Sequence, residues 1–188
     1  MLKAKVREKY QGLSRQELLD KAHELGFNFT KNSHSCSQST VAALHELLSF
    51  DDVVVRVATS LCGGSAMQYL GTCGALSGGV IVLDYYFGRP VEKMSYQEHI
   101  QANLDALEPA FEAPKLLADK FVKGYGSIIC MHIQRQLFGR PYYNADPDEA
   151  RKNEEAQDRA DPKNCYGVVG DVARWVMEIL LDKGTAEL

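Results

Sequence analysis

The chain has 188 residues, 45% of them hydrophobic, which is enough to bury a full core in one domain spanning 1–188. Its formal net charge of -4 argues against a nucleic-acid or anionic-membrane surface as the main partner. The basic start, Met1-Leu2-Lys3-Ala4-Lys5-Val6-Arg7, runs into Glu8, Lys9 and Tyr10 rather than an apolar stretch, which is not a secretory pattern, and the longest apolar run, Gly78 to Leu83, is far too short for a bilayer.

A cytoplasmic protein is therefore expected, and in a reducing cytosol five cysteines point to metal binding or redox chemistry more than to structural disulfides.

In chain order, Ser14-Arg15-Gln16-Glu17 reads as a capping box. Leu18, Leu19, Ala22 and Leu25 follow at helical spacing, and Gly26 is the expected stop. Phe27 to Ser35 reads as a polar loop. A second helix starts near Ser35 or Cys36 with Val41, Leu44, Leu47 and Leu48 on one face. Asp51 or Asp52 caps a third segment through Val53, Val54, Val57 and Leu61. Its β-branched run suits a strand, but no partner strand is evident, so helix is expected. Gly63-Gly64-Ser65 breaks it, and a Gly71-Thr72 turn leads into a buried helix from Cys73 to Gly88 whose first half is small residues. Glycine there costs about 1 kcal/mol each against alanine, and the return is close approach of another backbone or of a bound group.

Ser95-Tyr96-Gln97-Glu98 opens a further amphipathic helix, broken or kinked at Pro109 and Pro114, which resumes through Leu116, Leu117, Phe121 and Val122. Gly124 and Gly126 punctuate before a helix carrying Cys130 and ending near Phe138. Residues 139–164 read as a long polar loop holding a short exposed helix between Pro147 and Ala160. Loops of that length are often functional. The last helix starts near Asn164-Cys165 and carries Val168, Val169, Val172, Trp175, Val176, Ile179 and Leu180. The expected fold class is all-α: a single-domain bundle of about six or seven helices with little or no β-sheet.

Cys36, Cys73 and Cys165 fall at expected helix starts, and Cys130 in the first turns of its helix. A helix start carries about half a positive charge and free N–H donors, which stabilise a thiolate and can lower its pKa below about 8.5. No Cys-x-x-Cys joins any two of the four. A lone cysteine on an apolar helix is ordinarily an inert small hydrophobe. That bland account serves Cys62 as well as a role does and could explain Cys130 among its isoleucines. It does not explain Cys73 amid glycines, or Cys36 and Cys165 after polar loops. His34 and His132 each sit two residues from a cysteine and are expected in solvent more than on a ligand. His23, His45 and His99 fall on polar faces and are assigned nothing.

Cys36, then Gly63-Gly64, then Gly71-Thr72-Cys73-Gly74-Ala75-Leu76-Ser77-Gly78, then Gly126-Ser127-Ile128-Ile129-Cys130, then Cys165 resembles the redox-active protein family named for its cysteine pattern, C_GCAxxG_C_C. The resemblance covers about 32–176. It implies a small, largely helical protein whose four family cysteines map onto Cys36, Cys73, Cys130 and Cys165. Some relatives carry a c-type haem motif beside this domain. This chain has no Cys-x-x-Cys-His, so no covalent haem is expected. Cys62 lies outside the pattern.

Two functional readings follow. In the first, Cys36, Cys73, Cys130 and Cys165 ligate an iron–sulfur cluster or zinc, with Gly71, Gly74 and Gly78 leaving room for the group, and the protein carries electrons to a redox partner protein or senses redox state. The spacings of 37, 57 and 35 residues are unlike ferredoxins or zinc ribbons, but helical bundles do build sites from separate helices. In the second, Cys73 is a reactive thiolate, and Cys36, Cys130 or Cys165 resolves it, with Cys62 nearest in sequence. A third reading is a non-catalytic helical adaptor or homo-oligomer, with Tyr85, Tyr86 and Phe87 at a subunit contact. No nucleotide-binding loop, G-x-S-x-G or H-E-x-x-H occurs.

Overall fold

A computed structural model describes residues 2–97 and 100–187. Nine α-helices form among them, eight with eight or more residues, where six or seven were expected, and no strand forms. They are α1 (Arg15–Ser33), α2 (Cys36–Leu47), α3 (Asp52–Val57), α4 (Gly74–Phe87), α5 (Ile100–Leu107), α6 (Glu112–Tyr125), α7 (Cys130–Phe138), α8 (Pro147–Arg159) and α9 (Cys165–Asp182). The extra helices come from the break at 108–111, which splits one expected helix into α5 and α6, and from α8, which forms where a short exposed helix was expected between Pro147 and Ala160 but buries Asn153, Ala156 and Gln157. No described helix is long and apolar enough to cross a membrane.

The capping box of α1 forms as read: Ser14 accepts from the Glu17 N–H, and the Glu17 carboxylate accepts from the Ser14 N–H. The expected stop at Gly26 is corrected. α1 runs on to Ser33 and ends where His34 takes a left-handed φ of 58°. Gly26 is glycine for proximity: a Cβ there would lie 2.9 Å from the Val169 carbonyl oxygen and 3.1 Å from the Gly170 Cα. α1 and α9 therefore cross almost backbone to backbone. The polar stretch after Gly26 stays helical because its aromatic side chains pack; Phe27 stacks edge-on against Tyr166 with centroids 5.8 Å apart.

α4 and α9 form the centre. Val82, Leu83, Val169, Val172 and Val176 are fully buried, with α2 contributing Val41, Leu44 and Leu47 and α6 Leu117 and Phe121. The small first half of α4 admits its neighbours. A Cβ on Gly78 would strike the Ser37 carbonyl oxygen, and one on Gly79 would lie 2.7 Å from both Leu117 and Val172 side chains. Pro109 sits in a 3-10 turn between α5 and α6. Pro114 lies in the first turn of α6 and breaks nothing, because no intrahelical N–H is required there. The capping box at Ser95–Glu98 reaches Glu98 and, like His99, lies outside the described residues.

Polar ties fix the helix order. The Tyr125 hydroxyl donates to Asp171 Oδ2 at 2.5 Å, and His23 Nε2 lies 3.4 Å from the other oxygen, joining α6, α9 and α1. Burial pushes the Asp171 carboxyl up, but hydrogen bonds from His23 and Tyr125 outweigh it and hold its pKa below the usual carboxylate value. Tyr86 is buried and packs with Phe50 and Tyr85, while Tyr85 and Phe87 are half-buried. This aromatic group is chiefly core.

Candidate thiol site

Each of four cysteines opens a helix. Cys36, Cys130 and Cys165 are the first residues of α2, α7 and α9, and Cys73 is the N-cap of α4. A normal start satisfies its first N–H groups with a Ser, Thr, Asp or Asn side chain. α2, α4 and α7 have no such bond; Ser35 even buries its Oγ without a partner. Free backbone donors are thus left beside the thiols: N–H groups of Gly63 and Ser37 favour the Cys36 thiolate, and those of Ala75 and Leu76 favour that of Cys73. Only α9 is capped, by Asn164 accepting from the Gly167 N–H at 3.0 Å.

Local contacts draw the four starts together. The Cys73 N–H donates to the Ile128 carbonyl at 2.7 Å and the Cys130 N–H to the Gly71 carbonyl at 2.9 Å, across an antiparallel bridge between Thr72 and Ile129. That staple sets α4 and α7 side by side. The start of α2 is tied by Ser37 Oγ donating to the Ala58 carbonyl at 2.7 Å. A Cβ on Gly74 would run into Cys36 Sγ, so glycine at this position is what lets α2 and α4 bring their cysteines together. From α8, Gln157 Oε1 accepts the Cys165 N–H at 2.9 Å.

Cys36, Cys73, Cys130 and Cys165 all line one cavity of about 210 Å³, and so does Cys62. That volume is many times the ~10–15 Å³ a single water needs. The amides of Gln134, Asn144, Asn153 and Gln157 line the same cavity. The segment expected as an exposed loop therefore forms one side of the site: Asn153 and Gln157 are buried and linked, with Asn153 Nδ2 donating to Asn144 Oδ1 at 2.9 Å. None of the three glycines named from sequence lines the cavity: Gly74 abuts Cys36, and Gly71 and Gly78 face the backbones of Gly64 and Ser37. His34 is exposed at the rim. His132 is exposed, 3.0 Å from Ser127 Oγ, and outside the lining.

The thiols are not acidified. Burial pushes Cys36, Cys73 and Cys165 up to about 12, and Cys130 upward too; neighbouring thiols add to the rise, and the helix N–H groups offset only part of it. Removing charge-stabilising water costs more than an uncapped helix start returns. As folded, these are neutral thiols. Among the described residues, no three His, Cys, Asp or Glu side chains stand close enough to hold one metal ion.

The break expected at Gly63-Gly64-Ser65 forms, and the chain after it stays left-handed for longer than those glycines require. Gly63, Gly64, Ser65, Ala66 and Met67 all take left-handed φ, from 47° to 72°, and Tyr69 takes 63°. Each non-glycine residue there costs roughly 1–2 kcal/mol. The turn aims Met67 Sδ back at Cys62 Sγ, 3.5 Å away, and places Tyr69 over Asn144, whose N–H it accepts at 3.2 Å. Ala66→Gly is expected to raise stability by about 1 kcal/mol, seen as a higher denaturant midpoint, since glycine takes this φ without a steric penalty.

The fold and site define a helical protein whose helix starts converge on a thiol-lined cavity. The chain belongs to the family described as "Putative redox-active protein (C_GCAxxG_C_C)", whose model matches residues 34–179. Among curated proteins and solved structures, none matches this chain.

Proposed function

We propose that Cys36, Cys73, Cys130 and Cys165 hold a redox-active metal centre, an iron–sulfur cluster being the group their arrangement suits best, and that the protein transfers or senses electrons. The observation that carries this is the convergence of four cysteines from four separate helix starts on one cavity. A single zinc ion needs four ligands about 2.0–2.3 Å from one point. A cluster spreads its thiolates over several irons, around a body rather than a point, which suits thiols set round a cavity. Such a cluster, when bound, supplies one-electron transfer. The chain's own residues do the rest. Cys36, Cys73, Cys130 and Cys165 would hold the group as thiolates, giving up their protons to do so, and the uncapped N–H groups beside Cys36 and Cys73 would stabilise the charge left on sulfur.

The test is anaerobic purification followed by a visible spectrum and iron, zinc and acid-labile sulfide analysis of the same sample. The expected result is absorption bleached by dithionite, with iron and sulfide in step. Colourless protein lacking iron after anaerobic reconstitution sinks the reading.

A second reading, a thiol–disulfide protein, draws support from the absence, among the described residues, of three ligands within reach of one ion. The raised thiol pKa values weigh against it, because a thiol near 12 is almost wholly protonated at neutral pH and attacks slowly.

A further inference from the structure

We infer that Cys62, the cysteine outside the family pattern, is the oxidation partner of Cys36, and that a hydroperoxide converts this pair to a disulfide and so removes Cys36 from the thiol set of the cavity. The cross-link itself needs only the geometry below; its regulatory consequence rests on the metal-centre reading.

Three contacts place the two residues together. A Cβ on Gly74 would touch Cys36 Sγ and lie 2.9 Å from the Cys62 Cα, so both atoms stand against the same point of α4. The N–H of Gly63, in the peptide that follows Cys62, stands where it would favour a charge on Cys36 sulfur. The start of α2 is bound to the turn before Cys62 by the Ser37–Ala58 hydrogen bond and by Gln38 Nε2 donating to Thr59 Oγ1 at 3.0 Å. Both thiols line the cavity and both are half-buried, as is Cys165, whereas Cys73 and Cys130 are each only 7% exposed.

One rival pair, Cys73 and Cys130, is disfavoured by its register; pairs joining Cys73 or Cys165 to Cys36 are separated from the Cys36–Cys62 pair by the peptide map below. Cys73 faces Ile128 and Cys130 faces Gly71 across the Thr72–Ile129 bridge, so the two cysteines are diagonal neighbours. Diagonal positions stand about 7–8 Å apart, at or beyond the ~7 Å Cα separation a disulfide tolerates.

The chemistry balances. The Cys62 thiol attacks the hydroperoxide; the O–O bond breaks, an alcohol or water leaves, and Cys62 becomes a sulfenic acid. Cys36 sulfur then displaces that oxygen: the S–S bond forms, the S–O bond breaks and water leaves. Two thiols lose two electrons and two protons, and the hydroperoxide takes up both.

The experiment uses the full chain, reduced and stripped of metal, treated with one equivalent of hydrogen peroxide, capped with iodoacetamide and mapped by non-reducing peptide mass spectrometry. The expected result is loss of two of the five thiols with a Cys36–Cys62 cross-link at least ten times more abundant than any other pair. Cys62→Ser, with folding checked by circular dichroism, is expected to keep its other four thiols under the same dose. A first cross-link through Cys73, Cys130 or Cys165 overturns the inference. So does oxidation that stops at Met67 sulfoxide, or equal thiol loss in Cys62→Ser. Iron and sulfide content plays no part in this readout, so its failure and that of the metal-centre reading are separate results.

Discussion

The reduced, metal-free protein is expected to lose stability steeply above pH 9 and to unfold before its thiols ionise in place. Cys36, Cys73 and Cys165 are pushed from an ordinary 9.0 to about 12, and Cys130 is pushed up as well. In the unfolded chain these thiols ionise near 9; in the fold they stay protonated to about 12. Between those limits the native state binds more protons than the unfolded state, so stability is fully present below pH 9 and falls as pH rises. Each thiol contributes about 1.4 kcal/mol per pH unit. With four acting together, a typical reserve of roughly 5–15 kcal/mol is exhausted within about one to three units. Buried Tyr69, pushed to about 12, adds to the fall above pH 10. Urea denaturation at pH 8, 9, 10 and 11 measures it, and Cys130→Ala should flatten the slope by about a quarter. A slope near zero would mean the cavity thiols are hydrated and ionise freely. Thiols already ligated have no proton to lose, so in metal-loaded protein the same window should disappear.

Gly74→Ala is expected to cost about 3 kcal/mol, at the upper end of overpacking penalties, and to dismantle the site at the same time. The added methyl would meet Cys36 Sγ, the Cys62 Cα at 2.9 Å and the Leu61 carbonyl oxygen at 3.1 Å. Two of these atoms are backbone and cannot swing aside, so Cys36 must leave its place or α4 must shift away from α2. Two readouts follow: a lower midpoint in thermal or urea unfolding, and faster iodoacetamide capture of Cys36 in the metal-free chain. Gly124→Ala is the control. Its methyl would meet only the Trp175 ring edge, at 3.2 Å, and that ring can yield. A Gly74→Ala variant as stable as Gly124→Ala, with Cys36 no more reactive, would remove the close-approach argument.

Much of this was legible in the residues. The capping box at Ser14, the apolar face of α2, the small-residue entry to α4 and the valine-rich stripe of α9 all follow from periodicity and turn chemistry. The placement of Cys36, Cys73 and Cys165 at helix starts follows from the polar or glycine-rich residues before them. What stayed hidden depended on distant partners. Gly26 looked like a terminator because its reason for being glycine, the backbone of Val169 and Gly170, lies far along the chain. α8 is too polar to announce a packed face, and its buried Asn153 and Gln157 make sense only against Asn144 and Cys165. The role of Cys62 needed the left-handed turn that brings Met67 back to it, and five consecutive residues at positive φ, three of them not glycine, leave no pattern in sequence. The expected acidity of Cys73 failed for a different reason: the sequence shows the helix start but not how deeply the fold buries the thiol.

The convergence of α2, α4, α7 and α9 also has a consequence for biosynthesis. The four cysteines are drawn from positions 36 to 165 of 188, and the last of them opens the final helix. A ribosome delivers residues at about 5–20 per second, so Cys36 waits several seconds for Cys165 to be made and longer for α9 to leave the exit tunnel and dock. During that interval, unpaired sulfurs and the valine-rich seat for α9 are open to the cell. The set of four donors is complete only after Cys165 has been made, so a metal group that needs all four could be seated only from that point on.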